Sequence, residues 1–240
     1  MSLDPEAVET VTVDSYSTLV DVDSQADAID EYVDGVDDPE AVSSLWRSQY
    51  LVYSVIADDI DEYRPFWDLI GQGLRYALET HGHDVPEETR DEIRKTVYED
   101  RLDVFDDVRD GIGRIVDAGY DVYVVSNGDP EMLDHLLSAA DLHGVVSDAI
   151  SADEVETYKP NAEIYRHAAA RTGTPIRNVL HVSGGGMRDV WGAKHAGMQA
   201  AWLVRPEKTL PHEELGRDPD AVVESFHDVA DRLTDRRRDD

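Results

Sequence analysis

Five short runs rich in β-branched residues constrain this chain more than any other feature. They cover residues 9–13, 121–126, 145–150, 179–183 and 199–204, and most close on or beside a polar side chain. Helical stretches separate the later runs. Residues 131–140 follow Asp129-Pro130, a favourable start because proline at the first helical position gives up an N–H that has no partner there. Residues 162–172 follow Pro160-Asn161, and residues 187–196 precede Gly197. Strands alternating with helices at this spacing predict an α/β fold built on a parallel sheet covered on both faces. Ligands of such sheets bind beyond the carboxyl ends of the strands.

Between Leu19 and about residue 103 the strand signal vanishes, and helical patterns at 43–63, 66–80 and 87–98 replace it. Val42, Leu45, Val52, Ile56, Ile60 and Tyr63 recur at spacings of three, four and seven, as one buried face of a helix does. The predicted organisation is a core of residues 1–20 and 104–240 with a helical cap inserted at 21–103. The acidic segment 21–38 reads as the solvated approach to that cap, and the charged tail 232–240 as frayed. No internal repeat is present.

Charge bounds the partners. Fifty-three acids face twenty-two basic residues, a net charge of -31. Such a surface repels nucleic acid and anionic membranes. No run of about 18 apolar residues offers a membrane span. The first fourteen residues carry acids and no basic side chain, so they do not read as a signal peptide. Cysteine is absent, which excludes disulfide and thiol chemistry. The cytoplasm is the default compartment. Excess carboxylate with only four lysines (Lys95, Lys159, Lys194 and Lys208) suits a protein that stays hydrated in concentrated brine, as in a halophilic archaeon. A lysine kept inside a motif is then more informative than usual.

Four clusters sit at predicted strand ends or just after them: Asp14-Ser15-Tyr16-Ser17-Thr18-Leu19, Ser126-Asn127-Gly128, Tyr158-Lys159-Pro160 with Tyr165, and Ser183-Gly184-Gly185-Gly186-Met187-Arg188-Asp189. A parallel sheet would converge them on one crevice. A carboxylate, hydroxyl and amide groups, an ammonium and a second carboxylate sharing a pocket suit nucleophilic catalysis by a carboxylate, with the second acid handling water. Taken singly, each has an ordinary structural reading. Ser126-Asn127-Gly128 is a common turn, Asp189 can cap the helix that follows the glycines, and Tyr165 can be plain helix packing. The triple glycine lacks the residues of a phosphate-binding loop, and His81-Gly82-His83 lacks partners for a zinc set. No metal is assigned.

Taken together, the clusters resemble the haloacid dehalogenase superfamily, and within it the 2-haloacid dehalogenases that act on L-substrates. The Asp-x-Tyr-x-Thr-Leu start, the Ser-Asn-Gly triplet, Tyr-Lys-Pro with Tyr165 six residues after the lysine, and Leu45-Trp46-Arg47 in the cap carry the resemblance, which covers nearly the whole chain. It implies a Rossmann-like core with a cap domain, no cofactor, a small 2-haloacid as substrate, and admits a homodimer. The phosphatases of that superfamily carry a second Asp two residues after the nucleophile and an acid five before the final Asp, where this chain has Tyr16 and Gly184. Bringing a dianionic phosphate within about 4 Å of Asp14 costs roughly 8 kcal/mol at an effective dielectric near 20. A monoanion halves that repulsion, which favours the dehalogenase over a magnesium-dependent phosphatase or a silent scaffold.

By the same resemblance, Asp14 attacks C2 of an (S)-2-haloacid, expels halide with inversion, and forms an ester that water opens to the (R)-2-hydroxy acid. Asp189 activates or orients that water. Lys159 keeps Asp14 ionised and helps place Asp189. Arg47, Asn127 and Phe66 cradle the halide. Thr18 and Ser126 hydrogen-bond the nucleophile or the substrate carboxylate. Tyr165 supports Lys159, and Tyr16 and Leu51 line an apolar wall, although Leu51 and Phe66 serve equally as cap core. Three departures stand out: Ser17 where glycine is usual, Gly184 to Gly186 in place of a more polar segment, and Arg188 where a pocket tryptophan is common.

Overall fold

The computed structural model describes residues 2–22, 24–205 and 215–234. Six parallel strands, β1 (Thr10–Val13), β4 (Asp121–Ser126), β5 (Asp148–Ser151), β6 (Val179–Ser183), β7 (Gln199–Leu203) and β8 (Ala221–Val223), form a sheet in the order β5-β4-β1-β6-β7-β8. The α/β prediction holds, and β1 lies centrally, so Asp14 leaves the sheet at its middle. β4 and β6 match their predicted bounds. β5 starts three residues later than expected, because residues 145–147 form a turn whose Ser147 N–H already bonds to Val122. β8, unpredicted, is a short edge strand.

The sheet is covered on both faces. α5 (Val108–Asp117), α6 (Pro130–Ala139) and α9 (Phe226–Thr234) bury Ile112, Leu136 and Phe226 against Val11 and Val13. α7 (Ala162–Thr172) and α8 (Met187–Ala196) cover the other face with Ile164, Tyr165 and Val190. Because side chains alternate along a strand, the sequence Thr-Val-Thr-Val of β1 sends its valines to the first face and Thr10 and Thr12 to the second. That second face carries the polar groups of the site.

Between β1 and β4 the chain leaves the sheet. A two-stranded antiparallel ribbon, β2 (Val20–Asp21) with β3 (Asp103–Val104), brackets the excursion. Inside it lie α1 (Ser24–Tyr32), α2 (Pro39–Asp59), α3 (Phe66–Thr80) and α4 (Glu87–Lys95), the last running into a π-helical turn at Thr96–Asp100. The segment 21–38 is a solvated approach only in part: Asp27, Asp30, Glu31, Asp34, Asp37 and Asp38 are exposed, but the segment is not without a buried face. It contains α1, which buries Gln25, Ala26, Ala28 and Ile29, and the Gln25 amide donates to Tyr98 at 2.7 Å.

α2 also departs from expectation. It runs four residues earlier at both ends than predicted, with Asp38 as N-cap accepting from Ala41 N. Its buried face is Val42, Trp46, Tyr50, Ser54 and Ala57, whereas Val52, Ile56 and Ile60 of the expected stripe are exposed. The reason is α3: Gly73 lets the helices approach so closely that a Cβ there would lie 3.1 Å from Tyr50 Cβ and 3.2 Å from the Trp46 carbonyl. Trp46 is fully buried, and its indole N–H donates to Ile70 O at 2.8 Å. Burial of a large aromatic with its polar atom satisfied contributes a few kcal/mol.

Two carboxylates tie these helices to the sheet loops. Asp129 accepts from Phe66 N (2.7 Å) and Trp67 N (2.9 Å) at the start of α3. Asp58, at the end of α2, accepts from Tyr158 N and the Thr157 hydroxyl. No helix among the described residues is long and apolar enough to cross a membrane. Residues 235–240 of the expected frayed tail, and Lys208, lie outside the described residues.

Candidate active site

The four strand-end clusters meet in one pocket at the carboxyl end of the sheet. It is lined from the core by Asp14, Tyr16, Ser126, Asn127, Lys159 and Asp189, and from the inserted helices by Arg47, Leu51 and Phe66. Thr18 and Tyr165 stand one contact behind, bonded to the two acids.

Lys159 is the hub. Its ammonium donates to Asp14 Oδ1, to Asp189 Oδ2 at 2.9 Å and to the Val125 carbonyl at 3.0 Å, so all three of its protons are placed. Burial opposes its charge, but Asp14 and Asp189 more than offset that and raise its pKa above the ordinary lysine value. Burial likewise pushes Asp189 up, yet the Lys159 ammonium, His181 and the Tyr165 hydroxyl override it and hold its carboxyl far below the usual range. The Tyr165 hydroxyl donates to Asp189 Oδ1. Asp14 Oδ2 accepts from the Thr18 hydroxyl at 2.7 Å, and Thr18 Oγ1 in turn accepts from Gly184 N at 2.8 Å. The nucleophile candidate is therefore held on both oxygens.

Three predicted contributors behave differently from expectation. The Ser126 hydroxyl contacts Ser15 Oγ at 2.6 Å and accepts from Gly128 N at 2.9 Å; it faces the pocket but does not bond Asp14. Asn127 lines the pocket, and its Oδ1 accepts from the backbone N–H of Lys159 at 2.8 Å, so its amide also fixes the loop that carries the ammonium. Arg47 reaches from α2 to donate to Ser17 Oγ at 2.5 Å. Ser17 has φ +67°, the left-handed region that explains the usual glycine; here a serine accepts the strain and supplies the hydroxyl that Arg47 contacts.

Tyr50 and Tyr98 also line the pocket and were missed by sequence reading. Tyr98 projects from the π-helical turn, its ring edge-on to Tyr16 with centroids 5.3 Å apart. Such turns often accompany functional sites because they re-aim one side chain. The signal was an aromatic at the end of a predicted helix, too common to single out.

The glycines close one chemical option. A Cβ at Gly184 would lie 2.6 Å from the Ser17 carbonyl and 3.2 Å from that of Leu203. An acid there, as the superfamily's magnesium sites require, meets backbone on two sides. The one cation already lying between Asp14 and Asp189 is Lys159. The residues present therefore do not fit a divalent ion. Gly184→Asp should lower stability by about 1–3 kcal/mol through overpacking and confer no magnesium-dependent phosphatase activity, as read by thermal melting and phosphate release.

The chain is similar to known proteins along most of its length. The profile of the haloacid dehalogenase-like hydrolase family matches residues 8–197. (S)-2-haloacid dehalogenase 4A of Burkholderia cepacia is 32% identical over 201 residues, covering 83% of this chain and 84% of that protein. The (S)-2-haloacid dehalogenase of Pseudomonas sp. (strain YL) is 29% identical, covering 93% and 96%. Among solved structures, L-2-haloacid dehalogenase from Xanthobacter autotrophicus with chloropropionic acid covalently bound superposes with a TM-score of 0.83 at 28% identity, covering 95% of this chain and 98% of that one. Fold, site and matching profile lead to one statement: the chain belongs to the haloacid dehalogenase-like hydrolases.

Proposed function

We propose that this enzyme hydrolyses (S)-2-haloacids to (R)-2-hydroxy acids and halide through an ester on Asp14, without a metal. One observation carries the reading: a lysine bridges the two carboxylates of a pocket whose charged lining is two acids (Asp14, Asp189) and three cations (Arg47, Lys159, Arg188). The formal sum is +1, which a monoanionic haloacid neutralises and a phosphate dianion reverses. The similarity to (S)-2-haloacid dehalogenases along most of the chain supports the same substrate class.

In this reading Asp14 Oδ attacks C2 from the side opposite the halogen. The new C–O bond forms as the carbon–halogen bond breaks, and the halide leaves with the electron pair toward Arg47, Asn127 and Phe66. Leu51 and Tyr16 wall the apolar side and keep water from the first step. Water then adds to Cγ of Asp14 and gives up a proton to Asp189. The bond from Cγ to the substrate oxygen then breaks, that oxygen takes the proton back from Asp189, and the hydroxy acid departs carrying an oxygen that began on Asp14. Thr18 and Lys159 hold the attacking carboxylate in place, and Tyr165 steadies Asp189. Ser126 contributes to the wall that receives the substrate carboxylate. The inserted helices act as a cap, and the exposed Val52 and Ile56 on α2, with Ile60 just past its end, support pairing of two copies.

The test is halide release from (S)-2-chloropropionate in concentrated salt with EDTA. Release that persists under EDTA is expected. Turnover of phosphate esters alone, and only with magnesium, would replace this reading with the phosphatase one; silence on both in a folded sample would leave a scaffold.

A further inference from the structure

We infer that His181 is a positioning residue for Asp189 in the ester-opening half of the reaction, an inference that rests on the dehalogenase reading. His181 sits in the middle of β6, in the otherwise apolar run Val-Leu-His-Val, and is fully buried. It registers opposite Thr12 of β1, with Nδ1 2.9 Å from Thr12 Oγ1. Its Nε2 lies 3.1 Å from Asp189 Oδ1, but off line, so that this nitrogen has no full hydrogen bond at rest. The ring stands edge-on to Tyr165, centroids 5.4 Å apart.

The tautomer follows from these contacts. A neutral imidazole has one N–H and one lone pair. A lone pair facing a carboxylate oxygen at 3.1 Å is repelled, so the proton belongs on Nε2, and the Thr12 hydroxyl donates to Nδ1. Packing alone would be served better by an apolar ring, because a buried donor short of its partner is costly. What the imidazole adds is a third N–H or O–H group within reach of Asp189, 3.1 Å from Oδ1 and able to align on it as the carboxylate takes up the proton of water. Lys159 comes from the loop before α7, Tyr165 from α7 and His181 from the sheet. Together they fix the rotation of the carboxylate that must take a proton from water while that water adds to Asp14 Cγ. The chain of contacts Thr12–His181–Asp189–Lys159–Asp14 begins and ends at β1, on residues two apart in sequence.

The experiment is rapid-quench halide release with His181→Phe and His181→Gln beside the wild type, with the mass of the Asp14 peptide read in the quenched samples. His181→Phe should release about one halide per active site in a phase near the wild-type rate. It should then turn over about 10- to 100-fold more slowly, the range expected for losing a hydrogen bond to a charged group that forms only in the ester-opening step, with ester mass accumulating on Asp14. His181→Gln, whose amide still donates, should recover most of the loss. Steady-state turnover of His181→Phe near wild type, or equal slowing of both phases without trapped ester, overturns the role. If the Phe variant does not fold, His181→Asn, too short to reach Asp189, takes its place against Gln. Nitrogen-15 NMR of the resting enzyme gives an independent reading: a proton on Nδ1 instead of Nε2 overturns the inference. A folded wild type that releases no halide overturns the dehalogenase reading, and the role with it.

Discussion

Asp14→Asn should release no halide above background, a loss of at least about 10⁴-fold of the kind seen when a covalent nucleophile is removed. The substitution is nearly isosteric. Thr18 can still donate to the remaining oxygen of residue 14, and Lys159 keeps Asp189 and the Val125 carbonyl as partners. The fold should therefore survive, with a melting temperature close to wild type, and the loss can be assigned to chemistry. Any slow return of activity should track deamidation of the introduced side chain, read by mass. A companion measurement fixes the covalent step. In one turnover in oxygen-18 water, the product should carry ordinary oxygen at C2 while the heavy isotope appears in the side chain of Asp14. Heavy oxygen in that first product would mean that water attacks C2 directly, and the ester mechanism would fall. A substantially active variant whose introduced amide is still intact would refute the nucleophile as well.

Lys159→Met should be almost as damaging, and on stability as well as rate. The ammonium is held between two carboxylates on a side chain only 8% exposed, and methionine replaces its volume while removing its charge. Breaking a buried ion set by deleting one partner costs about 3–5 kcal/mol, because the remaining charge is left uncompensated. The two acids then repel each other, and one of them retains a proton to higher pH. If the proton stays on Asp14, attack is lost; if on Asp189, water activation is lost. Activity should drop by about 10³-fold or more, a two-step penalty of the size that removal of charge-assisted hydrogen bonds predicts. The pH dependence carries the sign. Lys159 has its pKa raised in the folded state by Asp14 and Asp189 against the opposing effect of burial. Its stabilising contribution is therefore complete below the unfolded lysine value of about 10.4 and is lost as pH rises through the higher folded value. Asp189 is lowered, so its contribution is present above about pH 3.9 and disappears only as pH falls through its folded value in strong acid. Wild-type stability from this network should thus be flat between those limits, with an alkaline fall above about pH 10.4 that is absent from Lys159→Met. Denaturation midpoints across pH for the two proteins decide it; parallel curves would refute the assignment.

The parts of this site written in the sequence are those fixed by local rules. Asp14, Ser126 and Asp189 could be placed because parallel strands present their carboxyl ends on one side, and Lys159 because lysine is scarce in the chain. The inserted helices were legible as helices but not in their orientation. α2 has two apolar stripes one position apart, and only the close approach allowed by Gly73 on α3 decides that Trp46 and Tyr50 turn inward while Ile56 and Ile60 turn out. α1 was hidden by its acids, since burial of Ala28 and Ile29 depends on helices distant in sequence. His181 was one of nine scattered histidines; its importance lies in Thr12 and Asp189, neither of them a local neighbour. Ser126 shows the opposite case: the residue lines the pocket as its strand-end position implies, but its hydroxyl is taken up by Ser15, a contact between two strand ends that no spacing rule encodes.

The ribbon of β2 and β3 has a mechanical consequence. Both passages of the chain into the helical layer run side by side through four residues, so that layer hangs on the sheet as a door hangs on one hinge, with Asp58 and Asp129 as its latches. Arg47, Leu51 and Phe66 all ride on the door, while Asp14, Lys159 and Asp189 stay on the frame. With the roles proposed above, a swing about that hinge would withdraw the guanidinium that holds the anion and the wall that excludes water in a single movement, so that letting the halide out and letting the hydrolytic water in would become the same event.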